Sequence, residues 1–203
     1  MTAAALPATL AQAVWPTGPL GTRRAAQAAR ALVLALGGCL LIAVSAQIQV
    51  PMWPVPMTMQ TFAVLLVGAM YGWRLGGATL ALYLIAGALG LPVLASVPPP
   101  GEAWAYMTGP SGGYLAGFLV SALLVGGLAE RGWDRTVLGT LASMTLGTAL
   151  ILGLGWAYLA HMIGPAAAFE QGVAPFVFGG LLKIALAAAV LPLAWTVVRR
   201  RTP

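Results

Sequence analysis

Apolar residues run along this chain in six blocks, at about 25–47, 58–73, 75–91, 112–129, 136–160 and 175–198. A helix needs about 20 residues, with a range near 17–25, to cross the hydrocarbon of a bilayer. The second and third blocks are short by that measure and are separated only by the Gly72–Arg74 turn. Periodicity does not separate a short buried helix from a strand, but lipid admits only helices and closed barrels. Strict alternation of apolar and polar positions is missing, so every block predicts a helix. Prolines fall where these helices should stop, at Pro51, Pro54, Pro56, Pro92, Pro98, Pro99, Pro100, Pro110, Pro165 and Pro175. The expected fold class is all-α, a polytopic membrane protein with six transmembrane helices.

Composition agrees. Of 203 residues, 60% are hydrophobic and 7% charged, with a mean hydropathy of +0.92, whereas a soluble domain carries about 25% charged residues. The net charge of +6 does not point to nucleic acid, because the basic residues punctuate apolar runs instead of clustering on a solvated face. Their layout gives an orientation. With a cytoplasmic amino terminus, the tail (Arg23, Arg24, Arg30), the 73–75 turn (Arg74), the 130–135 loop (Arg131, Arg135) and the carboxy terminus (Arg199, Arg200, Arg201) all lie inside. Those places hold all nine arginines. The connections 48–57, 92–111 and 161–174 hold no Lys or Arg, so both termini are expected to be cytoplasmic. Residues 1–22 lack a basic n-region and contain Pro7, Pro16 and Pro19, so they read as a cytoplasmic tail, partly disordered, and not as a cleaved signal. Trp15 is suited to resting at the interface. Residues 23–203 form the six-helix domain. The single cysteine, Cys39, excludes an internal disulfide and reads as packing.

Small residues recur at spacings of four: Gly68, Gly72 and Gly76; Gly113, Gly117 and Ser121; Gly139, Ser143 and Gly147. Such spacing lets helix backbones approach closely in lipid. In the first helix, Ala25/Ala29 and Ala31/Ala35 repeat the pattern, either for internal packing or as a docking face for another membrane protein.

Lys183 stands apart. It is the only lysine and lies inside the last apolar block, eight residues past Pro175, or about 12 Å along a helix. An ammonium at that depth needs a partner or a wet pocket and so marks a candidate site, although a structural lysine capping a carbonyl is the plain alternative. Two polar stretches share its outer end of the bundle. At the head of the second helix, Thr58 can act as an N-cap, and Gln60 and Thr61 then point into the apolar run, where an amide needs partners. The second stretch is Thr108-Gly109-Pro110-Ser111-Gly112-Gly113-Tyr114. Its glycines allow close backbone approach to a ligand; Ser111 is an equally good N-cap, and Tyr114 offers a ring and a hydroxyl. The loop from Val93 to Pro110, with Trp104 and Tyr106, is long enough to form a lid.

Gly109-Pro110-Ser111-Gly112 also matches the GxSG motif of rhomboid intramembrane proteases, and Ala160-His161-Met162-Ile163-Gly164 resembles their histidine motif. His161 is the only histidine and ends the fifth helix at the surface, a poor placement for a base that must reach the nucleophile. No Walker A sequence, metal-ligand cluster or paired carboxylate is present, so no catalytic residue, metal or cofactor is expected.

Taken together, Gln47-Ile48, Pro54-Val55-Pro56-Met57-Thr58-Met59-Gln60-Thr61, Gly87-Ala88-Leu89-Gly90-Leu91-Pro92-Val93, Gly109 to Tyr114, Leu128-Ala129-Glu130-Arg131 and Pro175 to Ile184 resemble the biotin-specific S components, the BioY family, of energy-coupling factor transporters. The resemblance runs from about Ala31 through Arg199. It implies a bacterial inner-membrane protein that captures biotin from outside, the vitamin being cargo and not cofactor. It also implies a transmembrane coupling subunit and two ATP-binding-cassette ATPases as partners, with a homo-oligomer left open. The implied binding residues are Lys183, Gln60, Thr61, Tyr114, Ser111, Gly113 and Gly180. The implied docking face is Ala31/Ala35, with Ala25/Ala29 second. The sequence departs from the family at Gly180, where an acid usually precedes the lysine by three positions and would accept from the ureido nitrogens. Another vitamin, thiamin or riboflavin, is the alternative cargo; those ligands usually call for stacking aromatics, and only Phe176 and Phe178 lie near the lysine.

Overall fold

The computed structural model describes residues 8–16, 24–96, 99 and 101–201. Arg23 lies outside these, as do residues 1–7 and 17–22 of the tail. The long helices are α2 (Arg24–Gln47), α3 (Gln60–Ala88), α5 (Gly112–Glu130), α6 (Val137–Ile163) and α8 (Ala174–Arg201). Three short helices join them: α1 (Leu10–Val14), α4 (Ala103–Met107) and α7 (Pro165–Gly172). The connection after α2 folds as a small antiparallel hairpin, β1 (Gln49–Val50) with β2 (Met57–Thr58). Five helices are long and apolar enough to cross a membrane, and the chain is a multi-pass membrane protein.

The second and third apolar blocks share one element, α3, which breaks at Gly72. There φ is 79° and ψ 175°, a region essentially reserved for glycine. The two arms fold back on each other, for a Cβ on Gly76 would lie 3.1 Å from the Gly68 Cα, eight residues earlier. In an unbroken helix that separation spans about 12 Å. Gly72 is therefore the bend, while its neighbours in the small-residue series are contacts.

The other small residues bring helices together as their spacing requires. A methyl on Gly68 would meet the Ala122 backbone at 2.9–3.0 Å, and one on Gly117 would meet Ile151 Cα at 3.0 Å. Ser121 Oγ donates to the Gly147 carbonyl at 2.9 Å. Thus α5 is clamped between α3 and α6, and the core gathers around Val64, Tyr83, Ala122, Val125, Ile151 and Trp195.

Helix α2 packs chiefly on α3, through a stripe of Ala35, Gly38, Ile42 and Ala46. Tyr71 and Thr79 fill the groove over Gly38, and the Tyr71 hydroxyl donates to the Leu34 carbonyl at 2.9 Å. Ala35 is thereby buried, Ala31 half-buried, and Ala25 and Ala29 exposed. Ala35 is thus spent on the chain's own helix contact, while Ala31 lies at the edge of that stripe.

The tail is not wholly loose. Thr9 caps α1 by accepting from the Gln12 N–H, and Leu10 and Ala11 are buried. Arg30 donates to the carbonyls of Ala11 and Trp15, both at 2.8 Å.

Candidate functional site

The polar residues of interest meet at the end of the bundle opposite the Gly72 bend. A cavity of about 40 Å³ is lined there by Thr58, Gln60, Thr61, Tyr106, Ser111 and Tyr114, with Leu115, Phe118, Ile151 and Phe176 as apolar walls. Four of the seven expected binding residues (Gln60, Thr61, Ser111 and Tyr114) share this wall.

Gln60 is buried and donates from Nε2 to the Tyr83 hydroxyl at 2.7 Å; that hydroxyl donates in turn to the Val93 carbonyl at 2.7 Å. Gln47 and Gln49 donate to the carbonyls of Leu94 and Ala95, both at 3.0 Å. Three side chains therefore fix Val93–Ala95, the first part of the segment expected to be a lid, and Leu94 and Ala95 line the cavity. Tyr83, Gln47 and Gln49 were not among the predicted site residues. A tyrosine and two glutamines in or beside apolar runs were the available signal, but the partners are carbonyls of a distant loop.

Thr58 does not cap α3 in the ordinary way. Met59 holds the cap position, and the Thr58 hydroxyl accepts from the Gln60 N–H at 3.2 Å. Its residue belongs to β2, and its carbonyl accepts from Lys183 Nζ. Ser111 sits at the N-cap position of α5 in a helical conformation and makes no capping bond; its side chain borders the cavity instead. The Tyr114 hydroxyl is occupied by the Gly172 carbonyl at 2.7 Å. Its ring, 6.2 Å from that of Phe176, is what it presents.

Lys183 is half-buried beside this cavity and does not line it. Besides Thr58, Nζ donates to Thr61 Oγ1 at 2.9 Å, so Thr61 links the lysine to the cavity wall. The ammonium has three donors, and both observed partners are neutral oxygens. The carbonyl-capping role is real, but the amine is not sealed in. It borders a void of about 20 Å³ shared with Thr61 and Gly180, and a cleft of about 350 Å³ between β1, β2 and α8. Gly180 is buried, and a Cβ there would meet only Thr148 Cγ2, at 3.5 Å. Gly113 departs from expectation. It lies against Leu154, Gly155 and Tyr158 of α6, so its role is close helix packing and not a ligand wall.

Above the cavity, a vestibule of about 380 Å³ opens between the β1–β2 hairpin and α4. Pro56, Tyr106 and Ser111 border both spaces. The protease-like pair does not come together: Ser111 is buried, His161 is exposed at the end of α6, and no hydrogen bond joins them among the described residues.

Comparisons with known proteins bear on the family and the fold. The model described as "BioY family" matches residues 17–200. A "Probable biotin transporter BioY" of Pyrococcus horikoshii is 36% identical over 150 residues, covering 74% of this chain and 86% of the relative. A "Biotin transporter BioY" of Thermotoga maritima is 36% identical over 151 residues, with the same 74% and 86% coverage. A crystal structure of "the S-component for biotin from an ECF-type ABC transporter" superposes with a TM-score of 0.69 over 86% of this chain and 95% of that one, at 19% identity, a likeness of fold. A family match over nearly the whole length, with relatives above 30% identity across most of it, leaves one assignment: this chain belongs to the BioY family.

Proposed function

We propose that this chain is a biotin-binding S component, a transport subunit and not an enzyme. In this reading it captures the vitamin at the outer face of a bacterial inner membrane. The bundle crosses six times, the two arms of α3 counting as separate spans, with both termini cytoplasmic. The observation that carries the reading is one end of the bundle where Gln60, Thr61, Ser111 and Tyr114 border a single cavity and Lys183 is tied to it through Thr61. The arginines among the described residues sit at the other end, where positive charge belongs on the cytoplasmic side.

Biotin suits such walls. Its fused rings and chain are apolar and match Tyr114, Phe118, Ile151 and Phe176, while its few polar groups need placed partners. Gln60, Thr61 and Ser111 supply hydrogen bonds to the ureido group. Lys183 donates to the ureido oxygen or to the carboxylate, and Gly180 leaves room beside it. The cavity is well below the roughly 300–1,000 Å³ of small-molecule sites, so binding must widen it. Tyr106, on the five-residue α4, borders both cavity and vestibule, and its displacement would merge the two.

Release inward falls to the coupling subunit and two ATPases. Their docking is proposed on the exposed Ala25/Ala29 side of α2 with the edge of Ala31. Labelled biotin should remain with detergent-extracted protein, and Lys183→Ala should weaken it at least about tenfold, the loss of one charge-assisted hydrogen bond, while melting is little changed. Unchanged affinity would remove Lys183 from the site. Retention of thiamin or riboflavin in place of biotin would change the cargo.

A further inference from the structure

At the arginine-rich end, away from the proposed cargo site, lies a second cavity, of about 400 Å³, between α1 and the Gly72 bend. Arg30, Arg74, Glu130, Thr9, Gln12 and Trp73 are among its lining residues. The charges are of both signs: two guanidiniums and one carboxylate. Arg30 spends two of its five N–H donors on the Ala11 and Trp15 carbonyls, which turns the guanidinium toward the cavity rim without neutralising it. Arg74 is exposed, its guanidinium 5.0 Å from the Trp73 ring centroid. Glu130 Oε1 accepts from the Trp73 N–H at 3.2 Å, and that bond places the carboxylate on the same wall.

We infer that this cavity is a binding site for a phosphoethanolamine group, the phosphate held by Arg30 and Arg74 and the ammonium by Glu130. A planar guanidinium matches phosphate oxygens, and two of them border this cavity. A carboxylate in the wall disfavours a purely anionic ligand and favours a zwitterion with a primary ammonium. A quaternary ammonium, lacking N–H donors, gains less from Glu130. The source is a membrane lipid. Trp15 and Trp73 are both exposed at this end of apolar, membrane-length helices, where aromatic rings mark headgroup depth, and basic pockets between helices at that depth accept lipid headgroups. The inference rests on the membrane-spanning architecture and is independent of the cargo.

The full chain, stripped of lipid in detergent, is offered equal amounts of palmitoyl-oleoyl phosphatidylethanolamine, phosphatidylglycerol and phosphatidylcholine, and bound lipid is counted by native mass spectrometry. Retention of phosphatidylethanolamine over both competitors is expected. Arg74→Gln, at an exposed side chain, should lower that retention about tenfold, as loss of a charged hydrogen-bond donor does. Glu130→Gln keeps the oxygen that accepts from Trp73 and should erase the preference over phosphatidylglycerol. Equal retention by wild type and both variants would overturn the site. Displacement of the lipid by free phosphoethanolamine at matching concentration would overturn the lipid as its source.

Discussion

Lys183 shows how much a single side chain can carry and where its legibility stops. One ammonium deep in an apolar block is costly unless something receives it, so its position alone marked a candidate site. Which atoms receive it, the Thr58 carbonyl and the Thr61 hydroxyl, depends on β2 and the head of α3 packing against α8. Gly180 is the matching gap. A side chain there would start beside the void shared with Lys183 and Thr61, its Cβ in contact with Thr148 alone. Gly180→Asp is expected to tighten binding of the proposed cargo by about tenfold, one charge-assisted hydrogen bond's worth, in calorimetry on purified protein. Weaker binding would mean that Gln60 or a hydroxyl already fills the acceptor role. Tyr83 was not legible as a site residue, because its hydroxyl matters only through Gln60 and Val93. Tyr83→Phe removes two buried hydrogen bonds and should cost about 1–3 kcal/mol of stability, seen as a lower melting temperature. An unchanged melt would show that water replaces the hydroxyl.

Among the elements, α3 depends most on one backbone angle. Gly72 holds φ 79° and ψ 175°, and a side chain there would also run into Glu130 and Thr9. Gly72→Ala should cost about 1–3 kcal/mol from backbone strain alone, read as a fall in melting temperature in detergent. Retained stability would mean the bend relaxes without a left-handed residue. The bend was legible, since two short apolar blocks joined by a glycine and an arginine leave a chain nowhere else to turn. The small-residue spacings were legible as contacts too, but not their pairings. Gly113 and Ala35 illustrate the difference: each has the residue type of a ligand wall or a docking face, and each is consumed by a neighbouring helix.

For the whole molecule, the two ends carry different chemistry. The cargo end is held by hydrogen bonds among neutral groups around the single Lys183 ammonium, and the other end by several charged groups. There Asp134 is buried, and its Oδ2 accepts from the Trp195 indole N–H at 2.6 Å. The Arg135 guanidinium lies 4.5 Å from the Trp195 ring centroid. The other Asp134 oxygen is buried with no hydrogen-bond partner among the described residues. Burial pushes this carboxyl up to about 6 from 3.8, against the opposing Trp195 bond and Arg135 charge. The folded protein thus holds the proton more tightly than the unfolded chain. Its favourable contribution is complete below the ordinary carboxylate range and is lost as pH rises through about 6. Melting temperature should therefore decline between roughly pH 4 and pH 7 by this route, and Asp134→Asn, which keeps an oxygen for Trp195, should flatten the decline. A variant as pH-dependent as wild type would assign the slope to another group.

By itself the sequence determined the membrane as solvent, the apolar blocks, the Gly72 bend, the arginine-rich and arginine-free ends, and the family. All but the last are set by local composition or spacing, because burying backbone and charge in lipid costs too much to leave ambiguous; the family follows from the resemblance of its ordered motifs. Only the tertiary structure decided which glycines face helices and which face space, that three hydrogen bonds pin Val93–Ala95 over the cavity, and that Lys183 reaches the cavity through Thr61. Helix rotation and long-range hydrogen-bond partners follow from packing between segments far apart in the chain, and no local pattern encodes them.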